Sequence, residues 1–384
     1  MFAALPVIDL RAARHGEPGA LQRLAQQLDE VCRAHGFFII TGHGVEPSVR
    51  AAAFDRARAF FCLSEADKAR WHIQHSPIKR GFDPVGWQRL DPTQPPDLKE
   101  SFYLGVDRGP QDPLVRAGVP QQGPNQWPDE ALVPGFRAAT TAYEAAVSQL
   151  GHQIMGYLAL ALGLEQQHFE PFMRDPMPVL RLLHYPSRPA SLADLQPGTV
   201  GCGAHTDWGG ITLLAQDEAG GLQVWLGEPG QHNNPQPKLV GHQPDADGPG
   251  WVDVPYVPDS FVVNLGDMMA RWTNDRWRST LHRVLPQPPG RERWSIAYFF
   301  DIDYHAQVSA LPGCFSAEHP ARYAPVTAGQ HIAEMYERTP VRPAESVSSH
   351  ETVRPAESVS GYETVRPAAA QHADPSVLPA TPAF

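Results

Sequence analysis

The sequence has few of the features that mark secreted, membrane or nucleic-acid-binding proteins. It contains only four cysteines in 384 residues (Cys32, Cys62, Cys202 and Cys314), and no two form a Cys-x-x-Cys pair, so we expect free thiols in a reducing compartment. No apolar run approaches the roughly 20 residues that span a bilayer, and the N-terminus lacks the basic and apolar regions of a signal peptide. With 31 basic and 42 acidic residues, the net charge is −11. These absences predict a cytoplasmic protein that binds neither membranes nor nucleic acids.

Hydrophobic periodicity divides the chain into three parts. Residues 1–105 alternate short apolar runs with helical spacing, which predicts an N-terminal α/β region, and residues 106–178 are predicted to be a helical support and loop region with one long helix over 133–164. Over 179–335 the pattern changes to short β-runs separated by turn residues. We therefore predict an α+β protein with a mainly β core, a double-stranded β-helix or jelly roll with flanking helices. The predicted core strands are Val179–Tyr185, Thr199–Thr206, Ile211–Ala215, Leu222–Trp225, Trp251–Val254, Phe261–Asn264, Thr280–Val284 and Ser295–Phe300.

Two stretches fall outside this pattern. Residues 228–250 are rich in Gly, Pro, Asn and Gln, and we interpret them as a loop inserted into the core. Val341–Ser348 recurs nearly unchanged as Val353–Ser360, and valine is the only large apolar residue of this repeat. Such a segment buries too little surface to offset the entropy of ordering, so a disordered tail is predicted over 340–384.

A group of metal-ligating residues is the main functional signal. His205 and Asp207 are two residues apart, so on an extended segment their side chains share one face. The β-branched run around His282 can bring a second imidazole beside them from another strand. Two histidines and one carboxylate form the facial triad that binds Fe(II) with open positions for oxygen. The plainer alternative for His205 and Asp207 alone is a hydrogen-bonded pair at a strand end.

A second group has the chemistry of a carboxylate site. Arg293 and Ser295 are again two apart, so both can point into the core, where an arginine fork binds both oxygens of a carboxylate. Arg181 and Tyr185 share a face of another strand and could add charge and a hydroxyl. The alternatives are an exposed strand position for Arg293 and core packing for Tyr185.

Taken in order, these motifs resemble the 2-oxoglutarate/Fe(II)-dependent dioxygenases of the isopenicillin N synthase-like group, over nearly all of residues 5–335. The insertion at 228–250 and the repeat tail depart from the family pattern. The resemblance rests on Leu5–Leu10, His35–Phe38, Gly42–Val45, Asp97–Glu100, Gly123–Pro128, His205–Asp207, Asn264–Asp267, Ser279–Val284 and Arg293–Ser295.

The resemblance implies an enzyme in which His205, Asp207 and His282 hold Fe(II). It further implies that 2-oxoglutarate chelates the iron and that its far carboxylate binds Arg293 and Ser295, with Tyr185 as a further donor. With O2, such an enzyme oxidises and most often hydroxylates a C–H bond of a small organic substrate, and releases succinate and CO2. Either a monomer or a homodimer is compatible with the sequence. The candidate substrate residues are Arg181, Trp208, Arg80, Phe102 and Phe299.

Other functions stay open at this stage. Within the same fold, the chain could be a 2-oxoglutarate-independent oxidase or an ethylene-forming type that fragments 2-oxoglutarate itself. A non-catalytic jelly-roll protein that binds or senses a small acid is the alternative from another class. A zinc hydrolase can also use two histidines and an aspartate, but it has no need of a carboxylate clamp.

Overall fold

The computed structural model describes residues 5–89, 95–187, 199–227 and 250–338. The repeat tail and all but the last residue of the predicted loop at 228–250 lie outside the described residues. Within the described ranges the strands are β1 (Val7–Asp9), β2 (Phe37–Thr41), β3 (Gly81–Asp83), β4 (Glu100–Gly105), β5 (Val179–Tyr185), β6 (Cys202–His205), β7 (Ile211–Gln216), β8 (Leu222–Trp225), β9 (Trp251–Asp253), β10 (Phe261–Leu265), β11 (His282–Val284), β12 (Arg293–Phe300), β13 (Gln307–Val308) and β14 (Val326–Thr327).

Helices flank these strands. In the same described ranges, three short 3-10 helices occupy Ala69–Trp71, Ile73–His75 and Glu170–Phe172. The α-helices are α1 (Arg11–Arg14), α2 (Ala20–Ala34), α3 (Pro47–Phe61), α4 (Glu65–Lys68), α5 (Pro113–Arg116), α6 (Phe136–Ala161), α7 (Asp267–Trp272) and α8 (Ala328–Arg338).

The core consists of two sheets, which confirms the predicted jelly-roll class. The larger sheet has eight strands in the order β1-β2-β10-β7-β12-β5-β4-β3, and the smaller has four in the order β6-β11-β8-β9. Their paired strands are antiparallel except β1 and β2. The N-terminal strands β1 to β4 extend the larger sheet at both edges, so the N-terminal region and the predicted β core share one sheet. The two sheets do not close into a barrel.

Strand β12 shows how the larger sheet separates two environments. Two apolar clusters lie on opposite faces of this sheet: the outer core, between the sheet and the helices, and the inner cluster, between the two sheets. The outer core includes Trp294, Ile296, Tyr298 and Phe300, and the inner cluster includes Ala297. Successive residues of a strand point to opposite faces, so Arg293 and Ser295 share the inner face with Ala297. The space between the sheets therefore receives the polar side chains of this strand.

The long helix α6 covers the outer face of the larger sheet together with α2 and α3. Its buried residues Tyr143, Val147, Leu150, Ile154 and Leu158 recur at helical spacing. The helix begins at 136 and not at the predicted 133, because Pro134 and the left-handed Gly135 (φ 74°) precede it. The prediction that this helix lies outside the strands is confirmed.

Candidate metal centre

The structure brings His205, Asp207 and His282 together at the end of the smaller sheet. His205 is the last residue of β6 and is paired in register with His282, the first residue of β11. One ligand atom from each of the three residues lies within 4.8 Å of the others. The Oδ1 atom of Asp207 is 3.8 Å from Nε2 of His205 and 3.7 Å from Nε2 of His282. This is the donor set of the two-histidine, one-carboxylate iron centre.

Backbone carbonyls orient both imidazoles. The Nδ1 of His205 lies 2.8 Å from the carbonyl oxygen of Gly203, and the Nδ1 of His282 lies 3.2 Å from that of Thr280. Because a carbonyl only accepts, each Nδ1 carries the proton, and each Nε2 keeps its lone pair for a metal. Burial, followed by the charge of His205, lowers the pKa of His282 to about 4, so this imidazole is neutral at physiological pH.

Asp207 lies just beyond β6 and is oriented by the opposite sheet. Thr212 on β7 and Asn264 on β10 donate to its Oδ2 at 2.5 and 2.6 Å, which leaves Oδ1 directed at the histidines. Burial alone raises the pKa of Asp207, but the nearby His282 and His205 and these two hydrogen bonds outweigh it, so the pKa is lowered. Asp207 is therefore held as a carboxylate, the form that binds a metal. The predicted strand over 199–206 is shorter than expected, and a loop places this ligand.

Gly266 allows this loop to approach the start of α7. A Cβ built on it would lie 2.3 Å from the carbonyl oxygen of Gly209 and 2.9 Å from that of Asp207. The amide of Asp267 donates to the same Asp207 carbonyl at 2.8 Å, and the hydroxyl of Thr206 donates to the Asp267 carboxylate. The Asn264–Asp267 motif thus positions Asp207 through both side chain and backbone.

Arg293 and Ser295 lie on the inner face of β12, as their spacing predicts. The guanidinium of Arg293 is 1% exposed and donates to the hydroxyl of Ser295 at 2.9 Å and to the side-chain oxygen of Gln216 at 3.2 Å. It also lies over the Tyr185 ring, 4.8 Å from its centroid. Burial raises the pKa of Tyr185, so its hydroxyl keeps the proton. Among the described residues, no carboxylate forms an ion pair with Arg293.

Arg181 is the centre of a polar cluster on the inner faces of β3, β4 and β5. Its Nη2 donates to Gln88 at 2.8 Å and to the Ser101 hydroxyl at 2.9 Å, and Asp83 lies 3.5 Å away. The guanidinium also lies 4.5 Å from the centroid of the Tyr103 ring. Unlike Arg293, this arginine has a protein counter-ion.

Comparisons with known proteins agree with this geometry. Residues 5–130 match the family of the non-haem dioxygenase in morphine synthesis N-terminal region, and residues 176–302 match the 2OG-Fe(II) oxygenase superfamily. The 2-oxoglutarate-Fe(II) type oxidoreductase hxnY of Emericella nidulans is 35% identical over 339 residues, which cover 88% of this chain and 90% of that protein. The chain belongs to the 2OG-Fe(II) oxygenase superfamily.

Further relatives of this oxygenase point the same way. The 2-oxoglutarate-dependent dioxygenase caaD of Aspergillus niger is 33% identical, with 82% of this chain and 89% of that protein covered. A full-length Neurospora crassa protein crystallised with alpha-KG and thymine superposes with a TM-score of 0.71 at 27% identity, with 87% of this chain and 97% of that chain covered. A putative 2OG-Fe(II) oxygenase family protein from Caulobacter crescentus has a TM-score of 0.71 at 28% identity over 88% of this chain and 99% of that one.

This oxygenase is therefore an oxidoreductase that uses Fe(II) and 2-oxoglutarate, as the sequence predicts. The residues present fit both groups. The neutral imidazole of His282, Nε2 of His205 and the ionised carboxylate of Asp207 suit Fe(II), and the buried Arg293 suits the carboxylate of the co-substrate. Among the described residues, no helix combines the length and apolarity needed to cross a membrane.

The remaining candidate substrate residues of this oxygenase lie in different surroundings. Trp208 directly follows Asp207, and its ring contacts Tyr336 of α8 edge to face at 4.9 Å. Phe299 lies half-buried against the inner cluster. Phe102 instead faces the outer core, 4.7 Å from the Phe60 ring, because it points away from its inner neighbours on β4.

Arg80 is also directed away from solvent. Its guanidinium donates to the carbonyl oxygens of Leu104 at 2.9 Å and Gln121 at 3.3 Å, and burial lowers its pKa to about 10. These contacts give Arg80 a structural role, and neither Arg80 nor Phe102 faces the inner polar cluster.

The sequence did not identify Thr212, Asn264 and Gln216 as supporting residues of the site. Their inward positions on β-strands were the available signal.

Proposed function

We propose that this oxygenase oxidises, most often by hydroxylation, a C–H bond of a small organic substrate. His205, Asp207 and His282 would hold the iron. Fe(II) bound there supplies the activation of O2 that is coupled to oxidative decarboxylation of 2-oxoglutarate to succinate and CO2. The protein's part is to orient both imidazoles, to hold His282 neutral, to keep Asp207 ionised and to present one C–H bond of the substrate to the metal.

The observation that carries this proposal is the missing counter-ion of Arg293. Its hydrogen-bond acceptors, Ser295 and Gln216, are neutral, and no carboxylate of the described residues pairs with it. A buried charge without a partner is strongly unfavourable. The far carboxylate of 2-oxoglutarate would supply the missing charge, and the Ser295 hydroxyl and the protonated Tyr185 would contribute neighbouring polar groups.

Arg181 and its cluster supply the substrate wall in this proposal. Within the described residues, its hydrogen bonds engage Nη2 only, and the guanidinium carbon lies over the Tyr103 ring. Such a wall suits a small ring that presents a carbonyl or carboxylate acceptor to the arginine. Trp208 and Phe299 would provide apolar contacts. The Neurospora crassa relative crystallised with thymine, a ring with two carbonyls, supports this choice of substrate class.

A substrate screen tests the proposal. The enzyme with Fe(II), 2-oxoglutarate and ascorbate is mixed with ring lactams, aromatic acids and aliphatic acids, and substrate-dependent succinate release is measured together with product mass. We expect stimulation by ring compounds with an acceptor group, a product heavier by one oxygen, and loss of that stimulation in Arg181→Met. Oxidation without succinate would instead identify a 2-oxoglutarate-independent oxidase, and headspace ethylene would identify the ethylene-forming type. Iron and 2-oxoglutarate binding without turnover of any compound would favour the sensor.

The cellular compartment and the oligomeric state of this oxygenase are proposed from its sequence. We place the enzyme in the cytoplasm, because its four cysteines suit a reducing compartment and all four are free thiols. Its solution state is proposed to be a monomer or a homodimer. Cell fractionation and light scattering after size-exclusion chromatography check these two points.

A further inference from the structure

The Asp97–Lys99 segment contacts β6, although more than one hundred residues separate them. The amide of Leu98 donates to the carbonyl of Val200 at 2.9 Å, which brings the segment beside the start of the strand that ends in His205. The side chains of Asp97 and Lys99 are buried (2% and 3% exposed) and form an ion pair. A buried ion pair needs further hydrogen bonds to offset its desolvation.

Asp97 is connected to His205 by hydrogen bonds through a single residue, Gly203. Its Oδ1 accepts from the amide of Gly203 at 3.0 Å, and the carbonyl of Gly203 accepts from Nδ1 of His205 at 2.8 Å. Gly203 is thus fixed on its amide side by a carboxylate and in turn fixes the imidazole. A shift of Gly203 would rotate the ring that offers Nε2 to the iron.

Lys99 holds that carboxylate in place. Its Nζ contacts Oδ2 of Asp97, which leaves Oδ1 for Gly203, and its charge lies beside the Cys202 thiol, where it opposes the rise that burial causes in the pKa of that thiol. Burial lowers the pKa of Lys99, but the adjacent Asp97 outweighs this effect and raises it, so the ammonium stays charged. The pair therefore contacts two consecutive residues of β6, Cys202 and Gly203, on the approach to His205.

The other imidazole is supported without an ion pair. Nδ1 of His282 contacts the carbonyl of Thr280 at 3.2 Å, and the Thr280 hydroxyl donates to the carbonyl of His35 at 2.6 Å. Both ligands are thus held through the residue two positions earlier. The support of β6 differs because it depends on two buried charges, and charged hydrogen bonds are the stronger kind.

We propose that Asp97 and Lys99 are positioning residues that set the orientation of His205 in the iron site. This inference rests on the proposed role of His205 as an iron ligand. Neither residue is assigned to substrate or co-substrate. Partners that orient metal-ligating histidines typically change metal affinity by roughly 10- to 100-fold when mutated.

Anaerobic Fe(II) titration of the full-length protein tests the proposal, with the visible charge-transfer band of the Fe(II)–2-oxoglutarate complex as a second readout. We expect Asp97→Asn and Lys99→Met to weaken Fe(II) binding by at least about tenfold and to alter the band. Asp97→Glu, which keeps the charge, should recover part of the affinity. Cys202→Ala, which removes one contact of Lys99 without stranding a charge, should weaken binding by a smaller factor.

Lys68→Met is the matched control. Lys68 and Glu100 form an equally buried ion pair at 2.7 Å, with side chains 4% and 5% exposed, on the outer face of β4. This variant should lose thermal stability but bind Fe(II) as wild type does. The proposal is wrong if Asp97→Asn and Lys99→Met lose stability in the same way yet keep wild-type iron affinity and an unchanged band. Absence of iron binding in wild type would instead refute the metal site itself.

Discussion

Replacing Arg293 by glutamine tests whether this buried guanidinium binds 2-oxoglutarate. Glutamine keeps two N–H donors on a side chain two atoms shorter, and it removes the charge and the fork that match a carboxylate. Because Arg293 is 1% exposed, water cannot replace the lost contact. The far carboxylate of 2-oxoglutarate would then be buried without a counter-ion.

The size of the effect follows from this burial. Truncating one partner of a buried, hydrogen-bonded charge pair costs about 2 to 5 kcal/mol, and every 1.4 kcal/mol is about tenfold in affinity. A loss of about 3 kcal/mol therefore predicts a rise of more than one hundredfold in the dissociation constant of 2-oxoglutarate. Arg293→Lys keeps the charge without the fork and should lose about tenfold. Ser295→Ala removes a hydrogen bond to a charged group, worth about 1.5 to 3 kcal/mol, and should lose at least about tenfold.

The assay is anaerobic titration of the Fe(II)-loaded protein with 2-oxoglutarate, followed by the visible charge-transfer band. Arg291→Gln is the matched control, because Arg291 is an exposed arginine two residues earlier. We expect wild-type affinity in that variant and equal Fe(II) binding in all of them. If Arg293→Gln binds 2-oxoglutarate within threefold of wild type, the carboxylate lies elsewhere and the assignment of the clamp is refuted.

Three further predictions concern the metal site and the polar cluster. His282→Ala should abolish Fe(II) binding while far-UV circular dichroism stays unchanged; retained stoichiometric binding would exclude this ligand. Burial raises the pKa of Asp83 to about 6 from 3.8, so its ionisation destabilises the fold as pH rises through this range. Asp83→Asn should therefore gain up to about 3 kcal/mol over wild type between pH 4 and pH 8 in denaturant unfolding, and a pH-independent difference would contradict this. Gly266→Ala should weaken Fe(II) binding by at least tenfold in calorimetry, because its Cβ displaces the Asp207 loop, whereas Gly109→Ala, with nothing within 4 Å, should leave it unchanged.

The sequence was enough to predict which side chains share one face of a strand, because side chains alternate between the two faces of a sheet along the local sequence. The spacing of Arg293 and Ser295, and of Arg181 and Tyr185, places each pair on one side of its strand, and the structure shows these side chains on the inner face. The same reasoning placed His205 and Asp207 together, although Asp207 lies in a loop and not on an extended strand. The two-residue separation still brought the side chains of His205 and Asp207 together, although the backbone at Asp207 is not a strand.

The partners of these residues could not be predicted, because they depend on register between distant strands. Thr212 and Asn264 are cross-strand neighbours on β7 and β10, and both donate to Asp207. Nothing in the local sequence of either strand fixes that pairing. For the same reason, the contact between Asp97 and Gly203 could not be predicted, although Asp97 lies in a motif that carried the family resemblance. Phe102 differs in the opposite way. It was a candidate substrate residue on the sequence, but its ring faces the outer core.

The two faces of the larger sheet predict different consequences of mutation. Outward residues such as Ile296 and Tyr298 contact the helices that cover the sheet, so their truncation removes apolar burial and lowers stability. The inward Arg293 is held instead by hydrogen bonds to Ser295 and Gln216. A polar interior is unfavourable for the empty fold, because each buried charge must be desolvated. Arg293 has no carboxylate partner among the residues that the structure describes, and its burial is accounted for if the bound co-substrate completes the core and stabilises the native state by linkage.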